Sequence, residues 1–219
     1  MPHRAVIFDM DGLMLDTERV GMLALQQAAA EHGFVIPDTL FIQTIGRTGK
    51  DAQAIYRDAL GPDFPYVDIQ PKRQAYSQTY YDQHGMPTKP GLHTLLTWLE
   101  ARAIPKAVVT STTHSRALIK LRAAAVAHRF STVIGGDDVT HGKPSPEPFL
   151  IAAEQLQLPP AECLVLEDSA PGIIAAHRAG MQPIWIPDLQ TPSDEVRPLA
   201  YCVCDSLQDA IDVLATCLA

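Results

Sequence analysis

The sequence predicts an α/β protein with a doubly wound, mostly parallel sheet and an all-helical domain inserted after the first strand. Three observations predict it. Short apolar runs without polar interruptions recur along the chain, as strands buried on both faces of a sheet require. Beyond residue 88 these runs alternate with helical patterns of about ten residues, the rhythm of βαβ units. From Thr17 to about Gln83 the alternation stops and the chain reads as almost wholly helical.

The first strand is Ala5-Val6-Ile7-Phe8, a continuous apolar run ending at an acidic cluster. In the helical stretch, Val20, Leu23, Ala24 and Ala28 form one stripe before Gly33. Leu15-Asp16 and the segment Gly85 to Gly91, with Pro87 and Pro90, read as paired linkers. The domain boundaries expected are therefore 1–15 with 88–219 for the α/β core and 16–87 for the helical insertion. In the core, a helix over Gly91 to Ala101 precedes a strand at Ala107-Val108-Val109. A helix from His114 to His128 leads to the strand Thr132-Val133-Ile134. Ser145 is placed to cap a helix from Pro146 to Gln157, which is followed by the strand Leu164-Val165-Leu166. The helix from Pro171 to Ala179 stops at Gly180, and strands follow at Pro183 to Ile186 and Tyr201 to Cys204. Leu207, Ala210, Ile211 and Leu214 have the spacing of a closing helix.

A chain of 219 residues that is 47% hydrophobic can bury a full core and a smaller accessory domain. Its formal net charge of −8 argues against nucleic acid or anionic lipid as a partner held by a general positive field, so an anionic ligand must be attracted locally. No apolar stretch approaches the ~18 residues of a membrane span, and the N-terminus carries no signal-peptide core, so no membrane partner and a cytoplasmic location are expected. Cys163, Cys202, Cys204 and Cys217 lie in apolar segments with neither zinc-site nor disulfide-framework spacing and read as reduced, buried thiols.

Asp9 and Asp11 stand just past the first strand, where the carboxyl ends of parallel strands face a ligand crevice. Two carboxylates two residues apart can converge on a hard cation such as Mg²⁺ or raise one pKa; the same pattern also fits a solvated turn. Glu167-Asp168 follows another apolar run and can add oxygen ligands, or merely cap the next helix. Thr110-Ser111 offers a hydroxyl and backbone N–H groups to a phosphate oxygen, or an ordinary helix cap. Lys143 lies in a proline-stiffened loop, Gly142 to Pro146, from which it can reach inward with a point positive charge. His93, His114, His128 and His177 form no metal set, and His114 alone is placed near enough to Thr110 to contact phosphate.

In this order, DxD, Thr/Ser, Lys and Glu-Asp resemble the haloacid dehalogenase-like hydrolase superfamily over nearly the whole chain. Phe8 to Glu18, Gly142 to Phe149 and Glu167 to Gly172 resemble its branch of small phosphatases and β-phosphoglucomutase, which carries a helical cap after the first motif on a Rossmann-like core. The resemblance implies an Asp9 nucleophile that becomes phosphorylated, an Asp11 acid/base whose carbonyl also binds metal, and Asp168 as a third ligand. It further implies Glu167 as support for the metal, Thr110 and the Ser111 backbone as phosphate holders, and Lys143 as the neutralising cation. The expected activity is Mg²⁺-dependent hydrolysis of a small phosphorylated metabolite, by a monomer or weak homo-oligomer.

Asp11 sets the chain apart from dehalogenases and phosphonate hydrolases of the superfamily, which generally lack that acid/base. A β-phosphoglucomutase-type mutase is the alternative; its cap histidine and arginine align with Gly21 and Gly49 here, which favours hydrolysis. In the cap, Gly46, Arg47 and Lys50 within the loop Thr44 to Asp51 are the candidate substrate-binding residues, although exposed cations are also common without a function. A signalling receiver uses a similar residue set, but with the acidic pair ahead of the acceptor strand and no helical insertion. A non-catalytic binding protein is disfavoured because every catalytic position holds a competent side chain.

Overall fold

The computed structural model describes residues 3–45 and 49–218. The described residues divide into two compact units, Met1–Leu15 with Thr88–Ala219 and Asp16–Pro87.

The first unit is a six-stranded sheet of β1 (Ala5–Phe8), β2 (Lys106–Val109), β3 (Thr132–Ile134), β4 (Cys163–Glu167), β5 (Gln182–Trp185) and β6 (Cys202–Val203). The order is β3-β2-β1-β4-β5-β6 and every pairing is parallel. After β1 the chain builds outward through β2 and β3, then returns to the other side of β1 for β4. That reversal puts β1 between β2 and β4, the position in an open parallel sheet where strand ends leave a ligand crevice. Ile7 is registered with Ala107 on one side and Val165 on the other, so the ends of β1, β2 and β4 lie level.

Parallel strands must be covered on both faces, which is why β1, β2 and β4 are buried throughout. Ile7, Val109 and Val165 pack with Phe149 and Ala152 of α7 (Glu147–Gln155) and with Ala175 and Ala176 of α8 (Ala170–Arg178). Burying each Ile, Val or Phe contributes roughly 1.5–3 kcal/mol relative to leaving it exposed. Phe8 meets Phe130 edge to face at 5.7 Å. Leu92, Leu95, Leu96 and Leu99 form the buried stripe of α5 (Leu92–Glu100), while α9 (Ala210–Cys217) buries Ala210 and Leu214.

Three core helices end earlier than their periodicity predicts. The helix expected to reach His128 stops as α6 (His114–Ala123), because Ala125 takes a left-handed φ of 56° and Val126 N–H turns back to the Leu121 carbonyl. Ala103 after α5 and Gln157 after α7 close their helices in the same way, with φ of 53° and 58°. These are glycine-type C-terminal turns made by residues that give no sequence signal for them. The last strand shrinks to Cys202–Val203 at the sheet edge, where a short strand offers little surface for pairing with another chain. All four cysteines are free; Cys163 and Cys204 are buried, whereas Cys202 and Cys217 are only half-buried, which corrects that expectation for the pair.

The second unit comprises α1 (Thr17–Ala30), α2 (Asp38–Ile42), α3 (Gly49–Leu60) and α4 (Tyr66–His84). Helix α4 packs on α1, whose buried face includes Val20, Gly21, Ala24, Leu25 and Ala28. Leu23, placed on that stripe by spacing, is instead 59% exposed. No described helix is long and apolar enough to cross a membrane.

Candidate active site

Asp9 continues the central ladder for one residue beyond β1, donating its N–H to the Leu166 carbonyl at 3.0 Å. The chain then turns sharply: Met14 and Leu15 both return N–H groups to the Met10 carbonyl. Gly12 has φ of 89°, and a methyl group there would lie 2.2 Å from Asp168 Oδ2. Only glycine relieves both the backbone and the contact, and the Asp168 carboxylate is thereby brought against the turn that carries Asp9 and Asp11. Trp185, fully buried in β5, donates its indole N–H to the Asp168 carbonyl at 2.9 Å and fixes the backbone from the other side.

Lys143 reaches the same place from the loop after β3. Its side chain is 6% exposed, and its Nζ donates to Asp9 Oδ1 at 2.5 Å, Glu167 Oε1 at 2.6 Å and the Val109 carbonyl at 3.0 Å. Those are acceptors from the ends of β1, β4 and β2, so all three ammonium protons are used. The Phe149 ring lies 5.1 Å below the cation. The other oxygen of Glu167 accepts from the Ser169 N–H and hydroxyl at 2.8 and 2.9 Å, and the Ser169 hydroxyl caps α8 by accepting from Gly172 N–H. Glu167 is thus committed to Lys143 and to the start of α8.

Thr110 is buried, donates its N–H to the Ile134 carbonyl and accepts at Oγ1 from Thr112 N–H. Ser111 beside it is exposed. The cap of α6 comes from neither, since Asp137 accepts from His114 N–H at 2.6 Å. His114 itself faces Asp138, with Nδ1 2.6 Å from the carboxylate. Asp11 is held by Thr112 Oγ1 at 2.7 Å and Lys120 Nζ at 2.6 Å. Sequence reasoning missed both of these residues. Thr112 had a faint signal, two positions after Thr110 in a hydroxyl-rich turn, while Lys120 had none.

Burial pushes the Asp9 carboxyl up to about 8, with Glu167 and Asp11 adding to the rise and Lys143 opposing it. Burial also pulls on Lys143, but Asp9 and Glu167 outweigh it and raise its pKa above the ordinary value. Carboxyl groups crowded around one ammonium favour either a retained proton on Asp9 or a further cation. Among the described residues no three His, Cys, Asp or Glu side chains group into a metal site by themselves. A site built from the Asp9 and Asp168 carboxylates with a backbone carbonyl does not need three, and its hard oxygen donors suit Mg²⁺.

A pH dependence follows from Asp9. Its folded pKa lies above the unfolded 3.8, so the folded state binds the extra proton between about 4 and about 8. Stability contributed by that proton is present at the acid end and is lost as pH rises through the window. In chelator, thermal denaturation is expected to show a falling midpoint over that range, and excess Mg²⁺ to reduce the fall. A midpoint that rises with pH in chelator would contradict the assignment.

In the helical unit, Lys50 is exposed at the start of α3; Gly46 and Arg47 lie outside the described residues. A cavity of about 230 Å³ is lined by Glu18, Thr44, Tyr56, Tyr66 and Arg73 among others. Tyr56 and Thr44 share a hydrogen bond of 3.1 Å, and the Tyr56 and Tyr66 rings stack at 5.8 Å. Arg73 of α4 lies over Phe41 and fills the space left by Gly21, where a methyl group would sit 2.8 Å from its guanidinium nitrogen. A larger opening of about 410 Å³ beside α6 is lined by Leu118, Arg122, Ala125, Ala127 and His128, none of them from the converging motifs.

The chain is similar to known proteins in sequence and in fold. Residues 6–186 match the family described as haloacid dehalogenase-like hydrolase. A phosphorylated carbohydrates phosphatase from Thermotoga maritima is 31% identical over 186 residues, 83% of each chain. A fructose-1-phosphate phosphatase from Escherichia coli is 31% identical over 183 residues, covering 83% of this chain and 95% of that one. Among solved structures, β-phosphoglucomutase from Clostridium difficile superposes with a TM-score of 0.76 at 21% identity, covering 98% of this chain and 97% of that one, a likeness of fold.

Proposed function

We infer that this chain, which belongs to the haloacid dehalogenase-like hydrolases and is a phosphatase of that family, acts on a small phosphorylated metabolite with Mg²⁺ through a phospho-Asp9 intermediate. The observation that carries this reading is the Lys143 ammonium bridging Asp9 and Glu167 where β1, β2 and β4 end. Phosphoryl transfer consists largely of positioning and charge stabilisation, and these residues supply both.

Asp9 attacks phosphorus while Lys143 holds its Oδ1 and offsets the charge that accumulates. The Thr110 hydroxyl and the Ser111 N–H hold non-bridging oxygens of the transferring group. Asp11 gives a proton to the leaving alcohol and afterwards takes one from the water that frees Asp9. Mg²⁺, held by the Asp9 and Asp168 carboxylates and the Asp11 carbonyl, would keep Asp9 ionised and neutralise the phosphoryl group. Glu167 supports this set indirectly, by fixing Lys143.

The helical unit acts as the cap that reads the rest of the substrate, with Gly46, Arg47 and Lys50 as its contacts. The cavity chemistry, hydroxyls and stacked rings beside an arginine and a glutamate, suits a hydroxyl-rich group such as a sugar or polyol. Hydrolysis is favoured over mutase action because Arg73 takes up the room at Gly21, the position aligned with the mutase histidine.

The test is phosphate release by purified protein from sugar phosphates, phosphoglycolate, glycerol phosphate and nucleotides, with Mg²⁺ and with chelator. Free phosphate is expected from at least one of the polyol or sugar phosphates, and only with Mg²⁺. Release from none of them would sink the reading. Exchange of phosphate between sugar positions without release, dependent on a bisphosphate, would establish the mutase instead.

A further inference from the structure

Lys120 belongs to none of the motifs, yet its Nζ lies 2.6 Å from Asp11 Oδ1 while Thr112 holds Oδ2 at 2.7 Å. Both oxygens of one carboxylate are therefore gripped, by a turn residue just past β2 and by a residue two turns into α6. The helix explains the reach. Ala117 and Leu121 form the buried face of α6, so Lys120 sits at the margin of that face with its stem against the protein. Its side chain is 21% exposed and that of Asp11 is 17% exposed. A partly hydrated pair of this kind contributes on the order of 1 kcal/mol or less to stability, so folding alone is a weak reason for it.

Resting on the phosphatase reading, we propose that Lys120 is a positioning residue for proton transfer: with Thr112 it orients the Asp11 carboxylate toward the leaving oxygen. The two donors are chemically unequal. An ammonium can only donate, so Oδ1 stays its acceptor throughout; a hydroxyl can turn from donor to acceptor, so Oδ2 is the oxygen that carries the proton. As the bond from Asp9 to phosphorus forms and the ester P–O bond breaks, the Oδ2 proton passes to the alcohol oxygen. When water attacks phospho-Asp9, its proton returns to Oδ2 and the aspartyl–phosphorus bond breaks. Throughout both halves Lys120 keeps Asp11 at one angle, which its two freely rotating side-chain bonds would not do without a partner.

The test separates positioning of an acid from general support of the fold. An alkyl phosphate needs its leaving oxygen protonated, whereas 4-nitrophenyl phosphate does not, and kcat/KM ends at release of the alcohol. With Lys120→Met, kcat/KM for an alkyl phosphate accepted by the wild type is expected to fall about 10²–10³-fold, the range of a general acid, and for the aryl ester less than about tenfold. Lys120→Arg should restore most of the alkyl activity, because a second cationic donor can occupy Oδ1. Equal losses on both esters, or none on either, would overturn the proposal. If Lys120→Met does not fold, Thr112→Val must show the same preferential alkyl loss, and its absence is equally decisive. Failure of the wild type to hydrolyse either ester removes the phosphatase reading itself and this inference with it.

Discussion

Asp9→Asn is expected to lower phosphate release by roughly 10⁴-fold or more, because it removes the attacking group and leaves the rest of the site in place. The amide is nearly isosteric with the carboxylate, and its oxygen can still accept from Lys143, which in the wild type lies 2.5 Å from Oδ1. The variant should therefore fold and melt within a few degrees of the wild type. Removing one of the crowded carboxyls, whose burial drives the pKa of Asp9 up, offsets part of any lost hydrogen-bond energy. Rapid quenching during turnover should trap acid-stable phosphate on the wild-type protein and none on the variant. Full activity in Asp9→Asn would remove the aspartate from the chemistry altogether.

Lys143→Met is expected to damage stability and catalysis together. The ammonium is the common partner of Asp9, Glu167 and the Val109 carbonyl, and its side chain is only 6% exposed. Breaking a buried ion pair from one side costs about 3–5 kcal/mol, since the carboxylates remain buried without their cation. The loss of charge stabilisation during phosphoryl transfer should lower kcat by roughly 10²–10³-fold as well. Lys143→Arg is not expected to rescue it: a planar fork cannot meet three acceptors arranged around a tetrahedral ammonium. The double change Lys143→Met with Glu167→Gln should regain part of the stability, having removed one unpaired carboxylate, and none of the activity. Parallel recovery of both would mean that Lys143 acts only in folding.

The fold was largely legible because its signal is local. A strand buried on both faces must be apolar throughout, so the first polar residue after Ala5–Phe8 or Leu164-Val165-Leu166 marks a carboxyl end of the sheet. Helix ends were read less well where Ala103, Ala125 and Gln157 adopt the left-handed turn usually given to glycine. In the helical unit, stripe spacing put Leu23 inward, although it is exposed. The buried face of α1 runs through Val20, Gly21, Ala24, Leu25 and Ala28, and Leu23 lies outside it.

Sequence by itself determined the α/β core, the helical insertion and the strand-end placement of Asp9, Thr110 and Glu167, because periodicity and chain order are properties of neighbouring residues. Only the tertiary structure decided the pairings. Lys143 meets Asp9 across 134 positions and Lys120 meets Asp11 across 109, contacts that depend on strand register and helix rotation. The resemblance implies a Glu167 that supports a metal, and the fold turns its carboxylate onto Lys143 and the first turn of α8. Gly21 aligns with the mutase histidine, and the fold fills the space beside it with Arg73. A carboxylate or a glycine states what chemistry is available at a position; which group answers it is set by packing between distant elements.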